Sequence, residues 1–196
     1  MATQAQKEIR VLVVEDDDDF ARLILHTLQQ SDDLRCVGIA KGRQQAVQMA
    51  KQQLPDVVLM DLNLSSSYMD GIDAAREIRT AIHTKIVILT VFENPEIILE
   101  ASKRSFASGY LFKSKFSLLA GTLRSTVRGH TPQEWMIRSL ILSDLSYAER
   151  TVFDMMMGKK IELFSSPKTI ANQKTTILKK LGLHSQWELN MVFGDY

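Results

Sequence analysis

The chain has little cysteine: Cys36 is the single one in 196 residues. That excludes an internal disulfide framework, and no Cys/His cluster has the spacing of a zinc site. Cys36 lies within an apolar run and is read as core filler. Excess charge is missing too, with 24 Lys+Arg against 23 Asp+Glu. Divided after His130, the chain carries 16 basic and 16 acidic residues before the cut and 8 and 7 after it, so neither part is a strongly basic binder of polyanions. Long hydrophobic runs are absent, the apolar stretches being strand-sized, and residues 1–10 are polar with no apolar core of signal-peptide length. A cytoplasmic location with no membrane partner is expected. Low proline and glycine, 4 and 9 residues, argue against collagen-like or low-complexity structure.

What is present is a βα alternation. Short β-branched runs at residues 10–14, 35–40, 57–61, 85–90 and 109–112 predict strands, and longer segments of helical period predict helices at 20–30, 43–53, 72–82, 95–105 and 116–128. Val57-Val58-Leu59-Met60 and Ile86-Val87-Ile88-Leu89 are apolar on both faces, as central parallel strands must be when helices cover both sides. The expected fold is α/β: a doubly wound five-stranded parallel sheet at residues 1–129, with its site at the carboxyl ends of the strands. Residues 130–144 are expected to form a linker that packs, and residues 145–196 a small all-α domain. Its helix starts are marked by Ser146-Tyr147-Ala148-Glu149, Ser166-Pro167 and Ser185-Gln186-Trp187-Glu188, with Gly158 and Gly182 as stops. Met155, Met156, Met157, Trp135 and Trp187 are read as helical core.

Four predicted strands run into polar residues at one edge: Glu15 and Asp16, Asp61, Thr90, and Lys113. Three carboxylates converging there repel unless a cation sits among them, and hard oxygen donors suit Mg²⁺. A metal flanked by a lysine and a hydroxyl receives a phosphoryl group well. Asp18 and Asp19 are instead read as a helix N-terminus favoured by the macrodipole.

The segments Val11-Leu12-Val13-Val14-Glu15-Asp16-Asp17, Pro55-Asp56-Val57-Val58-Leu59-Met60-Asp61-Leu62-Asn63-Leu64, Asp70-Gly71, Thr90 and Gly109-Tyr110-Leu111-Phe112-Lys113 together resemble a response-regulator receiver domain, a flavodoxin-like fold. The resemblance implies that Glu15 and Asp16 hold Mg²⁺, that Asp61 is the third carboxylate ligand and the phosphoacceptor, and that Asn63 offers its backbone carbonyl to the metal. It further implies that Thr90 and Lys113 bind phosphoryl oxygens, that Tyr110 is the aromatic switch residue, and that a sensor histidine kinase is the phosphodonor. Two features depart from the family. The loop Ser65-Ser66-Ser67-Tyr68-Met69 is longer and lacks proline, and Ser114 replaces a proline that often follows a cis bond, so a trans Lys113–Ser114 bond is expected.

Leu145-Ser146, Glu149-Arg150, Gly158, Lys168-Thr169-Ile170, Ile177 and Lys180-Leu181-Gly182 resemble the LuxR-type helix-turn-helix output domain. The resemblance places the helix that begins near Ser166 in the DNA major groove. On a helical projection Ile170, Ile177 and Leu181 form its apolar face, with Lys174 among them, and Lys168, Asn172, Thr175 and Lys179 form the opposite face. Seven residues separate Gly158 from Ser166. That is about five fewer than the family uses, so its scaffold helix should be a turn or missing. Ala171 stands where the family has a base-reading lysine. The expected protein is a regulator, not an enzyme, that dimerises with itself and controls transcription through DNA; the alternative is an output domain that binds protein partners and no longer DNA. A phosphatase using an aspartyl-phosphate is disfavoured, because Asn63 stands where its second catalytic aspartate would be.

Overall fold

The computed structural model describes residues 8–64, 68–162 and 165–194; the loop residues Ser65, Ser66 and Ser67 lie outside them. The chain divides into two compact units, residues 1–137 and 138–196.

In the first unit β1 (Ile9–Val14), β2 (Leu34–Ala40), β3 (Val57–Met60), β4 (Lys85–Thr90) and β5 (Gly109–Phe112) form a sheet in the order β2-β1-β3-β4-β5. Every pairing is parallel. Val11, Leu12, Val13 and Val14 are completely buried, as a central strand between two helical layers requires. The helices are α1 (Asp18–Gln29), α2 (Arg43–Gln53), α3 (Tyr68–Ala81), α4 (Pro95–Arg104) and α5 (Leu119–Arg128), with a 3-10 turn at Lys113–Leu118 ahead of α5. Each lies within a few residues of its expected place. Asp17 caps α1 by accepting from the N–H groups of Asp19 and Phe20, which starts the helix directly after the acidic run. Among the described residues no peptide bond is cis, and Lys113–Ser114 is trans as expected.

Residues 130–144 are mostly helical: α6 spans Pro132–Leu142. Its first turn is fastened to the sheet. The Tyr110 N–H donates to Gln133 Oε1 at 3.0 Å and Gln133 Nε2 donates to Tyr110 O at 3.1 Å, so a side-chain amide takes the place of a neighbouring strand on the outer edge of β5. Lys85 Nζ lies 2.7 Å from Glu134 Oε1, a carboxylate only 1% exposed.

In the second unit α7 (Tyr147–Met156), α8 (Pro167–Leu181) and α9 (Gln186–Phe193) surround Val152, Phe153, Ile177, Leu181, Leu183, Leu189, Val192 and Phe193. Phe153 and Phe193 meet edge to face at 5.3 Å between ring centroids. Ser146 and Glu149 complete the expected capping box, and Glu149 reaches Lys180 Nζ at 2.6 Å, tying α7 to α8. Between Met156 and Pro167 no described residue is helical.

The two tryptophans are not core. Trp135 is 46% and Trp187 54% exposed. In α9 the buried stripe of Leu189, Val192 and Phe193 lies about a third of a turn or more from Trp187, whereas Trp135, three residues before buried Arg138 and seven before buried Leu142, stands at the border of the buried face of α6 with its ring against His130. Met155, Met156 and Met157 are half-buried, at the edge of their core instead of inside it.

Candidate functional site

The parallel register builds the site. Val14 pairs with Met60 and Thr90 with Phe112, so the next residues, Glu15, Asp61, Val91 and Lys113, leave the sheet at one edge. Two backbone bonds fix the exits: Glu15 N–H donates to Ala40 O and Asp61 N–H to Val14 O, each at 2.9 Å. The resulting cleft, about 350 Å³, is lined by Glu15, Asp16, Asp17, Asp61, Asn63, Val91 and Lys113.

Oxygens of Glu15, Asp16 and Asp61 lie within 4.8 Å of one another, with Glu15 and Asp61 buried and Asp16 exposed. Lys113 Nζ stands 2.7 Å from Glu15 Oε2 and 2.8 Å from Asp61 Oδ2. Asp61 Oδ1 accepts from the Asn63 N–H at 3.1 Å. Burial pushes the Glu15 carboxyl above the usual carboxylate range, and the Asp61 charge adds to that against the pull of Lys113. For Lys113 burial works downward, but the hydrogen bonds to Asp61 and Glu15 and their charges outweigh it and hold the ammonium above its ordinary range. Three carboxylates against one ammonium leave a surplus of negative charge, and the donor set is all oxygen and open to solvent at Asp16. A hard divalent cation fits that arrangement.

Thr90 and Tyr110 stand beside this cluster and not in its lining. Thr90 is fully buried, and its hydroxyl accepts from the Phe92 N–H at 3.3 Å. Tyr110 is 9% exposed; its hydroxyl donates to Phe92 O at 3.3 Å and its ring meets Phe112 edge to face at 5.6 Å. Burial, and then the charge of Asp61, push the Tyr110 phenol upward, so it stays a neutral donor.

Two groups at the site escaped the sequence reading. The Ser114 hydroxyl donates to Glu93 at 2.9 Å, joining the loop after β4 to the turn after β5. The Lys113 ammonium also lies over the Phe20 ring, 4.1 Å from its centroid. An aromatic three residues after the helix-capping aspartate was the available signal, but its partner is distant in the chain.

In the second unit Lys168, Asn172, Thr175 and Lys179 are all exposed on α8, spaced to form one stripe. Ile177 and Leu181 are buried as expected, Ile170 only partly, and Lys174 is exposed. No residue from 167 to 176 is buried.

Residues 11–122 match the family model described as the response regulator receiver domain. The chain is 28% identical over 193 residues to the transcriptional regulatory protein LiaR of Bacillus subtilis, covering 88% of this chain and 90% of that one. It is 29% identical over 190 residues to the transcriptional regulatory protein DesR of the same organism, covering 92% and 94%. Among solved structures, the response regulator RcsB of Salmonella typhimurium, described in terms of its DNA interaction, aligns with a TM-score of 0.57 at 24% identity over 93% of this chain and 96% of that one. That likeness speaks to the fold.

Proposed function

Because the chain belongs to the response-regulator receiver family, we propose that it accepts a phosphoryl group on Asp61 from a sensor histidine kinase and controls transcription through DNA contacts made by α8. The observation that carries the reading is the convergence of Glu15, Asp16, Asp61 and Lys113 on one cleft at the carboxyl edge of the sheet.

Glu15, Asp16 and Asp61, with the backbone carbonyl of Asn63, are the ligands proposed for Mg²⁺, which when bound would neutralise charge on the transferring group. An Asp61 carboxylate oxygen attacks phosphorus, the bond from phosphorus to the donor histidine nitrogen breaks, and the imidazole leaves with a proton from solvent. Lys113, already within 2.8 Å of Asp61, turns to the phosphoryl oxygens and offsets their charge. Thr90 turns its hydroxyl from Phe92 towards the same group, and Tyr110, bonded to Phe92 O, follows the loop that Thr90 leads. In α8, Lys168 and Lys179 are the proposed phosphate contacts and Asn172 and Thr175 the base contacts, and the two full-length relatives named as transcriptional regulators support that output. A shortened helix-turn-helix, lacking its scaffold helix, is part of this proposal, as are a receiver ending near Gly129 and an output domain from Leu145.

Incubation with acetyl phosphate tests the site. Labelling of the full chain is expected only with Mg²⁺ present, and Asp61→Asn should abolish it. If that variant labels as well as the wild type, the assignment of Asp61 fails.

A further inference from the structure

The site lysine rests on an aromatic floor. Lys113 Nζ is 4.1 Å from the Phe20 ring centroid, and the same ring meets Phe116, one turn beyond Lys113, edge to face at 5.3 Å and 66°. The position of Phe20 is itself fixed from the acidic loop. Its N–H donates to Asp17 Oδ1 at 2.9 Å, and the Asp17 N–H donates to Glu15 Oε1 at 3.3 Å. Lys113 is 15% exposed at its side chain, so the cation and ring face meet where water screens them weakly.

We propose that Phe20 is a positioning residue for phosphoryl transfer: the face of its ring holds the Lys113 ammonium above the cleft while the lysine exchanges carboxylate partners for phosphoryl oxygens. The inference rests on the reading of Asp61 as phosphoacceptor. Its physical basis is a conflict of charges. Glu15 and Asp61 hold Lys113 in the resting site, yet both are proposed metal ligands and one is the group that reacts, so neither can keep the lysine in place through the transfer. A third carboxylate below the lysine would repel the incoming phosphoryl group, and an aliphatic side chain would not attract an ammonium. An aromatic face attracts the cation through its quadrupole and adds no negative charge. A long flexible lysine stem is thereby kept near its working position, and less ordering is left to the moment of reaction.

Graded fluorination of the ring at position 20 in the full-length protein tests this, because it drains the quadrupole while leaving the shape nearly unchanged. Labelling by acetyl phosphate with Mg²⁺ should slow stepwise from phenylalanine through trifluoro- to pentafluorophenylalanine, by about three- to thirtyfold in all. The melting temperature should hold nearly constant across the series. Phe20→Tyr should label like the wild type, and Phe20→Leu should fall with the pentafluoro protein. Equal rates across the fluorinated series would overturn the inference, as would losses that track melting temperature. Failure of the wild type to label at all would instead sink the phosphoacceptor reading.

Discussion

Gly71 is packed against the backbone of Asp61 and Leu62. A Cβ added there would stand 2.6 Å from Leu62 Cα and 2.7 Å from Leu62 O, and would strike Asp61 O as well. These are backbone atoms of the segment that carries Asp61, the proposed phosphoacceptor, so they cannot step aside as a flexible side chain could. Gly71→Ala should therefore destabilise the protein by about 1–3 kcal/mol, against the helix propensity that alanine ordinarily gains, and should slow labelling of Asp61. Chemical denaturation and acetyl phosphate labelling check the two effects. Glu15, Asp16, Asp61 and Lys113 were legible in the sequence because they lie within two residues of a strand end, and parallel strands bring their ends to one edge. The Phe20 to Lys113 contact was not legible, since no local pattern links a helix start to a distant turn. Trp187 was misread as core because helical phase turns it away from Leu189, Val192 and Phe193, and Trp135 because it stands at the border of the buried face of α6 and not within it.

At the scale of elements, α7 and α8 are joined by Glu149 and Lys180. The Lys180 ammonium beside Glu149, helped by the Ser146 N–H, holds the Glu149 carboxyl below the usual carboxylate range. A carboxylate lowered in the fold contributes stability above its unfolded pKa and loses it as pH falls through the lowered value. Lys180→Met should accordingly speed amide exchange in α7 and α8 at neutral pH, and the gap from wild type should close in acid. A gap that persists in acid would mean that the lysine acts mainly through its bond to Asp144 O. The stripe on α8 makes its own prediction: DNA binding should weaken steeply with salt, and Lys168→Ala and Lys179→Ala should each reduce the slope of log affinity against log salt by about one unit. Gel shifts across a salt series measure this, and tight binding by the double variant would exclude α8 as the contact. Helix starts were readable here because caps are local chemistry, as Ser146, Ser166 and Ser185 illustrate. The uncovered first half of α8 was only partly so, since burial depends on what the rest of the chain supplies.

For the whole molecule, occupancy of the cleft should alter association. Thr90, Phe92 and Tyr110 form one hydrogen-bonded string from beside the cleft towards α4, where Leu99 is 54% exposed. With beryllofluoride and Mg²⁺ the protein is expected to sediment as a dimer at concentrations where the untreated protein is smaller; an unchanged species would disconnect the string from assembly. The Gln133 clasp on Tyr110 bears on how such experiments are cut. A receiver fragment ended at Gly129, where the sequence alone places its border, would strip the amide from the rim of β5 and leave a polar backbone seam open. Fragments of that length would seek a substitute strand in one another and clump, and their self-association would be mistaken for signalling. A truncation that keeps the first turn of α6, with Gln133 and Glu134, carries its own selvedge: a finished border woven from one side chain, which keeps the sheet from unravelling into its neighbours.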